Sequence, residues 1–193
     1  MASNAYHRIT ITGDPGSGKT TFARAVVEKT GYQLITTGNI FRKLAAEKGI
    51  SLAALNELAE TQAEIDAKVD DYLKLLNDHP GHLILDSRMG WHFIKDSLKI
   101  RLTVDPEVAV HRIFHDNAEL REKFGDIKEA MNEVERRRTS EIARYKNLYG
   151  VDIGDPKNFD LVINTSHKAP QDVTAAFDKA FAEYKKHFNP AAA

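Results

Sequence analysis

The sequence has no cysteine, almost no net charge and no long apolar run. The absence of cysteine excludes disulfides, thiolate metal sites and cysteine nucleophiles. The formal net charge of −1 argues against broad electrostatic binding to nucleic acid. No run of apolar residues approaches the length of a membrane span, and the amino terminus has no hydrophobic signal segment. We therefore expect a cytoplasmic protein that binds neither membranes nor nucleic acid.

The rest of the composition is that of an ordinary folded domain. Apolar residues make up 42% of the 193 positions and charged residues 28%, a balance typical of globular proteins. A chain of this length buries a full core without covalent cross-links. We predict a single domain over residues 1–193.

A glycine-rich stretch near the amino terminus fits the phosphate-binding P-loop pattern G-x-x-x-x-G-K-[ST]. The stretch consists of Gly13, Asp14, Pro15, Gly16, Ser17, Gly18, Lys19, Thr20 and Thr21. Residues 7–12 before it predict a strand, and residues 20–29 after it predict a helix. In that context the loop N–H groups face an anion, Lys19 reaches the β- and γ-phosphates of ATP, and the Thr20 hydroxyl binds Mg²⁺. Because every fixed position and both flanks match, we prefer this interpretation to a chance glycine-rich turn.

Predicted strands alternate with predicted helices along the rest of the chain. Further strands are predicted over residues 32–36, 82–86, 99–104 and 159–164. Helices are predicted over residues 40–48, 52–76 with a break near Thr61, 106–115, 126–148 and 170–187. This order predicts an α/β fold of the P-loop NTPase type, a three-layer sandwich whose central sheet is mainly parallel.

Polar residues follow several of these strands at the edge where such sheets bind ligands. Asp86 ends a buried strand and could organise Mg²⁺ together with Thr20; the alternative is an aspartate that caps the next turn. Arg88 lies two residues further along, and Arg42 follows the second predicted strand. Either arginine alone would more often be a surface salt-bridge partner. Beside a P-loop, the two together favour a site for the phosphate of an acceptor.

A basic helix in the second half of the chain predicts a lid. Arg137, Glu141 and Arg144 recur at helical spacing and share one face. Phosphoryl transfer requires positive charge on the transferring oxygens more than it requires covalent chemistry. We therefore predict that Arg137 and Arg144 close over the site. The alternative is a solvated helix whose glutamates neutralise its arginines, and we prefer it for Arg136 and Arg138.

Five segments carry a more specific signal, namely residues 37–42, 86–91, 137–145, 149–152 and 160–166. Together they resemble the nucleoside monophosphate kinase family, most closely the cytidylate kinases of the short archaeal-like type, over almost the whole chain. The resemblance implies a helical insert near residues 38–79 that binds the acceptor nucleotide, and a lid near residues 117–150. It implies that Thr37, Gly38, Arg42, Arg88 and Arg144 bind the acceptor, with Glu141 helping to recognise cytosine.

The sequence departs from this family pattern at three positions. Asn39 replaces a usual aspartate, so one negative charge near the acceptor is lost. Ser87 replaces a usual glycine in the loop after the third strand. Asp116 stands where many relatives have an arginine that stacks on the donor base, which leaves the choice of ATP, GTP or another donor open.

The function expected from these features is the transfer of the ATP γ-phosphoryl group to CMP or dCMP with Mg²⁺. The predicted catalytic residues are Lys19, Arg88, Arg137 and Arg144. An adenylate kinase or a kinase of another small metabolite is the alternative enzyme. The alternative of another class is a nucleotide-binding switch module, although the guanine-reading motif N-K-x-D is missing. We expect a monomer whose partners are small nucleotides, and we leave a dimer open.

Overall fold

The protein is built around one sheet of five strands. These are β1 (Arg8–Gly13), β2 (Gln33–Thr36), β3 (Leu83–Asp86), β4 (Ser97–Thr103) and β5 (Leu161–Asn164). In this computed structural model, which describes residues 6–115 and 124–188, they lie in the order β2-β3-β1-β4-β5. Every neighbouring pair is parallel. The predicted parallel sheet is confirmed, with β1 at its centre.

Helices occupy most of the chain between the strands. They are α1 (Lys19–Thr30), α2 (Thr37–Lys48), α3 (Leu52–Thr61), α4 (Ala63–Leu75), α5 (Gly90–Phe93), α6 (Pro106–Phe114), α7 (Ile127–Tyr149) and α8 (Pro170–Phe188). Short 3₁₀ helices cover Leu76–Asp78 and Pro156–Asn158. Local signals end and start the helices: Gly49 takes φ of +67° after α2, and the Ser51 hydroxyl accepts the Ala54 N–H at the start of α3.

Alternation along β3 shows that both faces of the sheet are covered. Ile84 packs into a cluster with residues of α1 and α8, among them Val26 and Phe177. Leu83 and Leu85 point to the opposite face and pack into a second cluster with residues of α4 and α7. A strand that is apolar on both faces belongs inside a three-layer sandwich. The predicted layering is therefore confirmed.

The boundaries differ from the sequence predictions where tertiary contacts decide them. β4 begins at Ser97 rather than at residue 99, because Ser97 and Leu98 pair with Arg8 and Ile9 of β1. α2 begins at Thr37, directly after β2, and the break near Thr61 falls at Gln62. α5 was not predicted, since a helix of four residues is too short to carry a periodic pattern.

Within residues 6–115 and 124–188, no helix combines the length and apolar character needed to cross a bilayer.

Candidate active site

The P-loop connects β1 to α1 and packs closely against its neighbours. Gly16 has φ of +73°, and a Cβ there would lie 2.8 Å from the carbonyl oxygen of Ala109 in α6. A Cβ at Gly13 would collide with the carbonyl oxygen of Leu102 in β4. Only glycine fits these two positions. Gly18 is the N-cap residue of α1 and has no side chain that could accept from the first N–H groups of the helix. These N–H groups are therefore suited to bind an anion.

Two arginines that the sequence analysis missed hold this loop in place. Arg101 of β4 donates to Asp14 Oδ1 at 2.9 Å and to the Ile153 carbonyl oxygen at 2.5 Å. Arg112 of α6 donates to the Gly16 carbonyl oxygen at 3.3 Å and to that of Thr165 at 2.8 Å. Asp14 therefore forms part of the loop through its backbone, and its carboxylate anchors the loop to Arg101. The only sequence signal was an arginine within an apolar strand and another within a mostly apolar helix.

Lys19 is the first residue of α1, and its amine lies among protein atoms at the base of the loop. The amine donates to the carbonyl oxygens of Gly13 at 2.9 Å and Asp14 at 3.1 Å. Burial, with a smaller contribution from the charge of Arg88, lowers the pKa of Lys19 to about 7. Asp86 and Glu141 act in the opposite direction. The amine is therefore ready to gain a proton when an anion arrives.

Arg88 joins the P-loop to α7. Its Nε lies 2.9 Å from Glu141 Oε2, and its Nη1 donates to the Gly13 carbonyl oxygen. Glu141 Oε1 lies 3.7 Å from Nε of Arg137. Burial is the largest influence on the pKa of Arg88 and lowers it, but Glu141, Tyr145 and Asp86 together outweigh burial and raise that pKa. Burial would likewise raise the pKa of Glu141, but Arg88, Arg137 and Lys19 together outweigh it and lower that pKa.

The loop after β3 fixes the backbone of Arg88. Its carbonyl oxygen accepts the Thr12 hydroxyl at 3.2 Å and the Trp91 indole N–H at 3.0 Å. The Ser87 hydroxyl accepts the N–H groups of Met89 at 3.3 Å and Gly90 at 3.1 Å. The serine that departs from the family pattern therefore caps the turn into α5 rather than disturbing it.

Arg42 lies at the start of the predicted insert. Its Nη2 donates to Asn39 Oδ1 at 2.6 Å, and a Cβ at Gly38 would lie 3.5 Å from the same nitrogen. The Thr37 hydroxyl donates to the Asp86 carbonyl oxygen at 3.4 Å, which joins β2 to β3 at this edge. Because Asn39 is neutral, it orients the guanidinium without neutralising its charge. The positive charge of Arg42 is therefore not compensated by Asn39 and is suited to bind an anion.

Arg144 contacts the insert helix α4. Its Nε lies 3.5 Å from Asp66 Oδ2, and its Nη2 donates to the Tyr145 hydroxyl oxygen at 3.0 Å. Burial raises the pKa of Asp66, and the charge of Arg144 partly opposes this. Nearby, the Tyr149 hydroxyl donates to Asp70 Oδ2 at 2.5 Å. These contacts join the predicted lid helix to the predicted insert.

Thr20 and Asp86 supply oxygens that could hold a metal ion. Asp86 ends β3 and pairs in register with Ile11 of β1, and its carboxylate acts on Lys19 by raising the pKa of that amine. In the part of the chain that the structure describes, no three His, Asp or Glu side chains form a metal-binding group. Mg²⁺ typically takes one or two protein oxygens and completes its shell with water and phosphate. This donor set fits a Mg²⁺ ion that arrives with a nucleotide.

The structure brings most of the predicted residues to one edge of the sheet. Lys19, Arg88, Arg137 and Glu141 form one cluster, and Arg144 follows on the next turn of α7. Arg42 lies at the same edge, after β2, where its guanidinium contacts Asn39. Asp116 and residues 117–123 of the predicted lid lie outside the described residues, so the donor-base position is not placed.

Solved structures of low sequence identity share this architecture. An uncharacterized protein from Eubacterium ventriosum aligns with a TM-score of 0.64 at 14% identity, covering 90% of this chain and 96% of that one. Shikimate kinase from Bacteroides thetaiotaomicron aligns with a TM-score of 0.58 at 14% identity, covering 90% of this chain and 95% of that one. At such identity the likeness establishes the fold alone. The fold and the glycine-rich loop define an α/β protein of the P-loop NTPase type.

Sequence comparison identifies the family within this class. The chain belongs to the cytidylate kinase-like family, whose sequence model matches residues 8–167. A cytidylate kinase from Methanocella arvoryzae is 35% identical over 178 residues, which are 92% of this chain and 98% of that protein. A cytidylate kinase from Methanothrix thermoacetophila is 40% identical over 157 residues, covering 81% of this chain and 87% of that protein. The resemblance inferred from the sequence segments is confirmed.

Proposed function

We propose that this protein is an ATP-dependent nucleoside monophosphate kinase that converts CMP or dCMP to the diphosphate. The observation that carries the proposal is the contact of Arg88 with the P-loop carbonyl of Gly13, beside the amine of Lys19. An arginine for an acceptor phosphate thus lies directly next to the loop for the donor phosphates. The relatives named cytidylate kinase support CMP as the acceptor.

Each cationic group has a separate task in this proposal. The loop N–H groups and Lys19 bind the donor phosphates. Arg42 and Arg88 bind the acceptor phosphate, and Arg137 and Arg144 neutralise charge on the transferring phosphoryl oxygens. The acceptor phosphate is already an anion, so no general base is needed. Mg²⁺ bound with ATP would be held by Thr20 and Asp86 and would neutralise charge on the β- and γ-phosphates.

Glu141 acts as a temporary partner for the arginines. Its carboxylate holds Arg88 and Arg137 next to the P-loop by ion pairs of 2.9 and 3.7 Å. When phosphates bind, each guanidinium releases the Glu141 carboxylate and binds phosphate oxygens instead. The arginine side chains need to move only a short distance for this change of partner. Preorganised donors of this kind need little rearrangement during the reaction. The cytosine-recognition role that the family resemblance implies for Glu141 stays a prediction.

The predicted insert and lid would move during this cycle. The insert, near residues 38–79, contains most of α2 together with α3 and α4, while α7 forms the described part of the lid near residues 117–150. Closure of the two over bound nucleotides would exclude water and limit the hydrolysis of ATP. A monomeric state and a cytoplasmic location also belong to this proposal and stay predictions.

A coupled assay with ATP and a panel of acceptors tests the function. CMP, dCMP, UMP, AMP and GMP are compared as acceptors by kcat/KM. We expect CMP and dCMP to be the best acceptors. A preference for AMP would indicate an adenylate kinase, and tight ATP binding without transfer to any acceptor would indicate a binding module.

A further inference from the structure

The hydroxyl oxygen of Thr36, at the end of β2, is buried and has no hydrogen-bond partner among the described residues. Thr36 directly precedes α2, where a threonine hydroxyl ordinarily accepts from one of the first N–H groups of the helix. In this protein the hydroxyl makes no such cap. Buried polar atoms are nearly always hydrogen-bonded, because leaving them unpaired is unfavourable. The Thr36 hydroxyl therefore has hydrogen-bonding capacity that neither the helix nor the sheet uses.

The sheet register places Thr36 beside Asp86. The two residues are direct partners on the parallel strands β2 and β3, so their side chains leave the sheet on the same face. Leu34 and Ile84, two residues earlier on each strand, pack into the cluster that contains residues of α1. Because side chains alternate along a strand, Thr36 and Asp86 also face α1, whose first turn carries Thr20. The unused hydroxyl therefore lies at the proposed metal site.

A hydroxyl at this position suits a cation that keeps part of its water. Mg²⁺ dehydrates reluctantly, so it is held by few protein oxygens and retains several water ligands. A water bound to the cation donates hydrogen bonds and therefore needs acceptor oxygens around it. A threonine hydroxyl accepts such a bond and donates its own proton to a carboxylate. Partners of this kind orient the ligands of a metal and contribute to its affinity.

We propose that Thr36 is a positioning residue of the Mg²⁺ site, whose hydroxyl accepts from a metal-bound water and donates to the Asp86 carboxylate. The inference rests on the proposed function, since it adds a residue to the metal site assigned to Thr20 and Asp86. Thr36 acts through the water and the carboxylate and contacts neither nucleotide. The neighbouring Thr37 is less suited to this role, because its hydroxyl already donates to the Asp86 carbonyl oxygen at 3.4 Å.

The test measures the affinity for a non-hydrolysable ATP analogue by calorimetry, once with Mg²⁺ and once with EDTA. The first affinity divided by the second is the Mg²⁺ ratio. Thr36→Val keeps the shape of the side chain and removes the hydroxyl, so we expect the Mg²⁺ ratio to fall on the order of 10-fold relative to wild type. The affinity in EDTA should not change. Thr36→Ser keeps a hydroxyl and should retain most of the Mg²⁺ ratio.

The stability of the same variant separates positioning from a structural role. Thr36→Val breaks no hydrogen bond of the ligand-free protein, and valine favours strands, so its melting temperature should equal or exceed that of wild type. A lower melting temperature, or a failure to fold, would show that the hydroxyl supports the fold and would overturn the proposal. Thr10→Val is the matched control, because it removes a strand hydroxyl that has a partner, Ser97 Oγ at 3.4 Å. It should keep the wild-type Mg²⁺ ratio.

A double variant tests whether Thr36 acts together with Asp86. Asp86→Asn alone should also lower the Mg²⁺ ratio. Adding Thr36→Val to Asp86→Asn should lower the ratio further by much less than Thr36→Val does in wild type, because both residues belong to one hydrogen-bond network. Fully additive losses would mean that the two residues act independently, which would contradict the proposal.

Other outcomes would also overturn the proposal. An unchanged Mg²⁺ ratio in Thr36→Val would leave the hydroxyl without a part in metal binding. An equal loss of affinity with Mg²⁺ and with EDTA would mean that the hydroxyl contacts the donor nucleotide itself, and a loss confined to CMP binding would assign it to the acceptor. These results differ from a failure of the proposed function, in which wild type itself transfers no phosphoryl group to CMP.

Discussion

At the scale of single residues, Arg88 links the proposed donor-phosphate site to the proposed acceptor-phosphate site. Removing it in Arg88→Ala deletes a charged hydrogen bond to the acceptor phosphate, which is typically worth about 1.5–3 kcal/mol, or about 10- to 100-fold in binding. We expect the KM for CMP to rise and kcat to fall together in steady-state assays.

Two further variants control for charge and position. Arg88→Lys keeps the charge but not the two-point geometry, so it should recover activity only in part. Arg136→Ala should behave like wild type, because the Arg136 guanidinium pairs with Glu133 at 2.8 Å on the outer face of α7. CMP kinetics in Arg88→Ala that match those of wild type would remove Arg88 from the acceptor site.

The amine of Lys19 provides a pH-dependent prediction. Its pKa of about 7 in the ligand-free protein lies well below the usual 10.5. Phosphates favour the charged amine, so ATP binding at about pH 8 should be accompanied by proton uptake. Calorimetry in buffers of different ionisation enthalpy measures this uptake directly. Lys19→Met should bind ATP more weakly and without the uptake, whereas equal uptake in the variant would contradict the assignment.

The same pKa shift affects stability with a defined sign. Between about pH 7 and 10.5 the unfolded chain binds more protons at Lys19 than the folded protein does. The free energy of unfolding contributed by this residue therefore rises with pH across that window and is lost below it. Wild type should gain stability relative to Lys19→Met as the pH rises from 7 to 10.

At the scale of elements, the contact between α4 and α7 carries a stability prediction. Tyr149→Phe removes the donor to Asp70 Oδ2, which leaves a buried carboxylate with one partner fewer. Such a loss costs about 1–3 kcal/mol of unfolding free energy. Burial raises the pKa of Asp70, and the Tyr149 hydroxyl opposes this rise. The loss should therefore be larger at neutral pH, where the carboxylate is ionised, than at about pH 4.

Urea unfolding of the two forms at both pH values measures this difference. Tyr72→Phe serves as the control, since Tyr72 lies on α4 but is 39% exposed. It should change the free energy of unfolding little. An equal loss at both pH values in Tyr149→Phe would mean that the ionisation of Asp70 is not linked to the tyrosine.

The elements also show which parts of the fold the sequence predicts and which it does not. The alternation of strands and helices could be predicted because the strands are short apolar runs separated by helical periodicity, as in residues 82–85 before Asp86. The P-loop could be predicted from the sequence because its geometry requires particular residue types at fixed positions. The anchoring roles of Arg101 and Arg112 could not be predicted from the sequence, because each depends on partners far away along the chain, such as Asp14 and Thr165.

At the scale of the whole molecule, the sheet topology explains why distant segments form one site. All strands are parallel, so the P-loop after β1, Arg42 after β2 and Arg88 after β3 lie at a single edge. α7 then crosses toward that edge and adds Glu141 and its arginines. The sequence predicted this meeting of segments. It did not predict that Glu141 pairs with Arg88 or that Asp66 pairs with Arg144, since side-chain contacts between segments far apart in the chain leave no periodic signal.

The most direct test of the whole account is a crystal structure with CMP, Mg²⁺ and a non-hydrolysable ATP analogue. We predict donor phosphates on the P-loop and Lys19, with the CMP phosphate on Arg42 and Arg88 facing them. Arg137 should have left Glu141 for the phosphate oxygens. A complex in which the CMP phosphate binds away from Arg42 and Arg88, or in which α7 stays remote from both nucleotides, would contradict it.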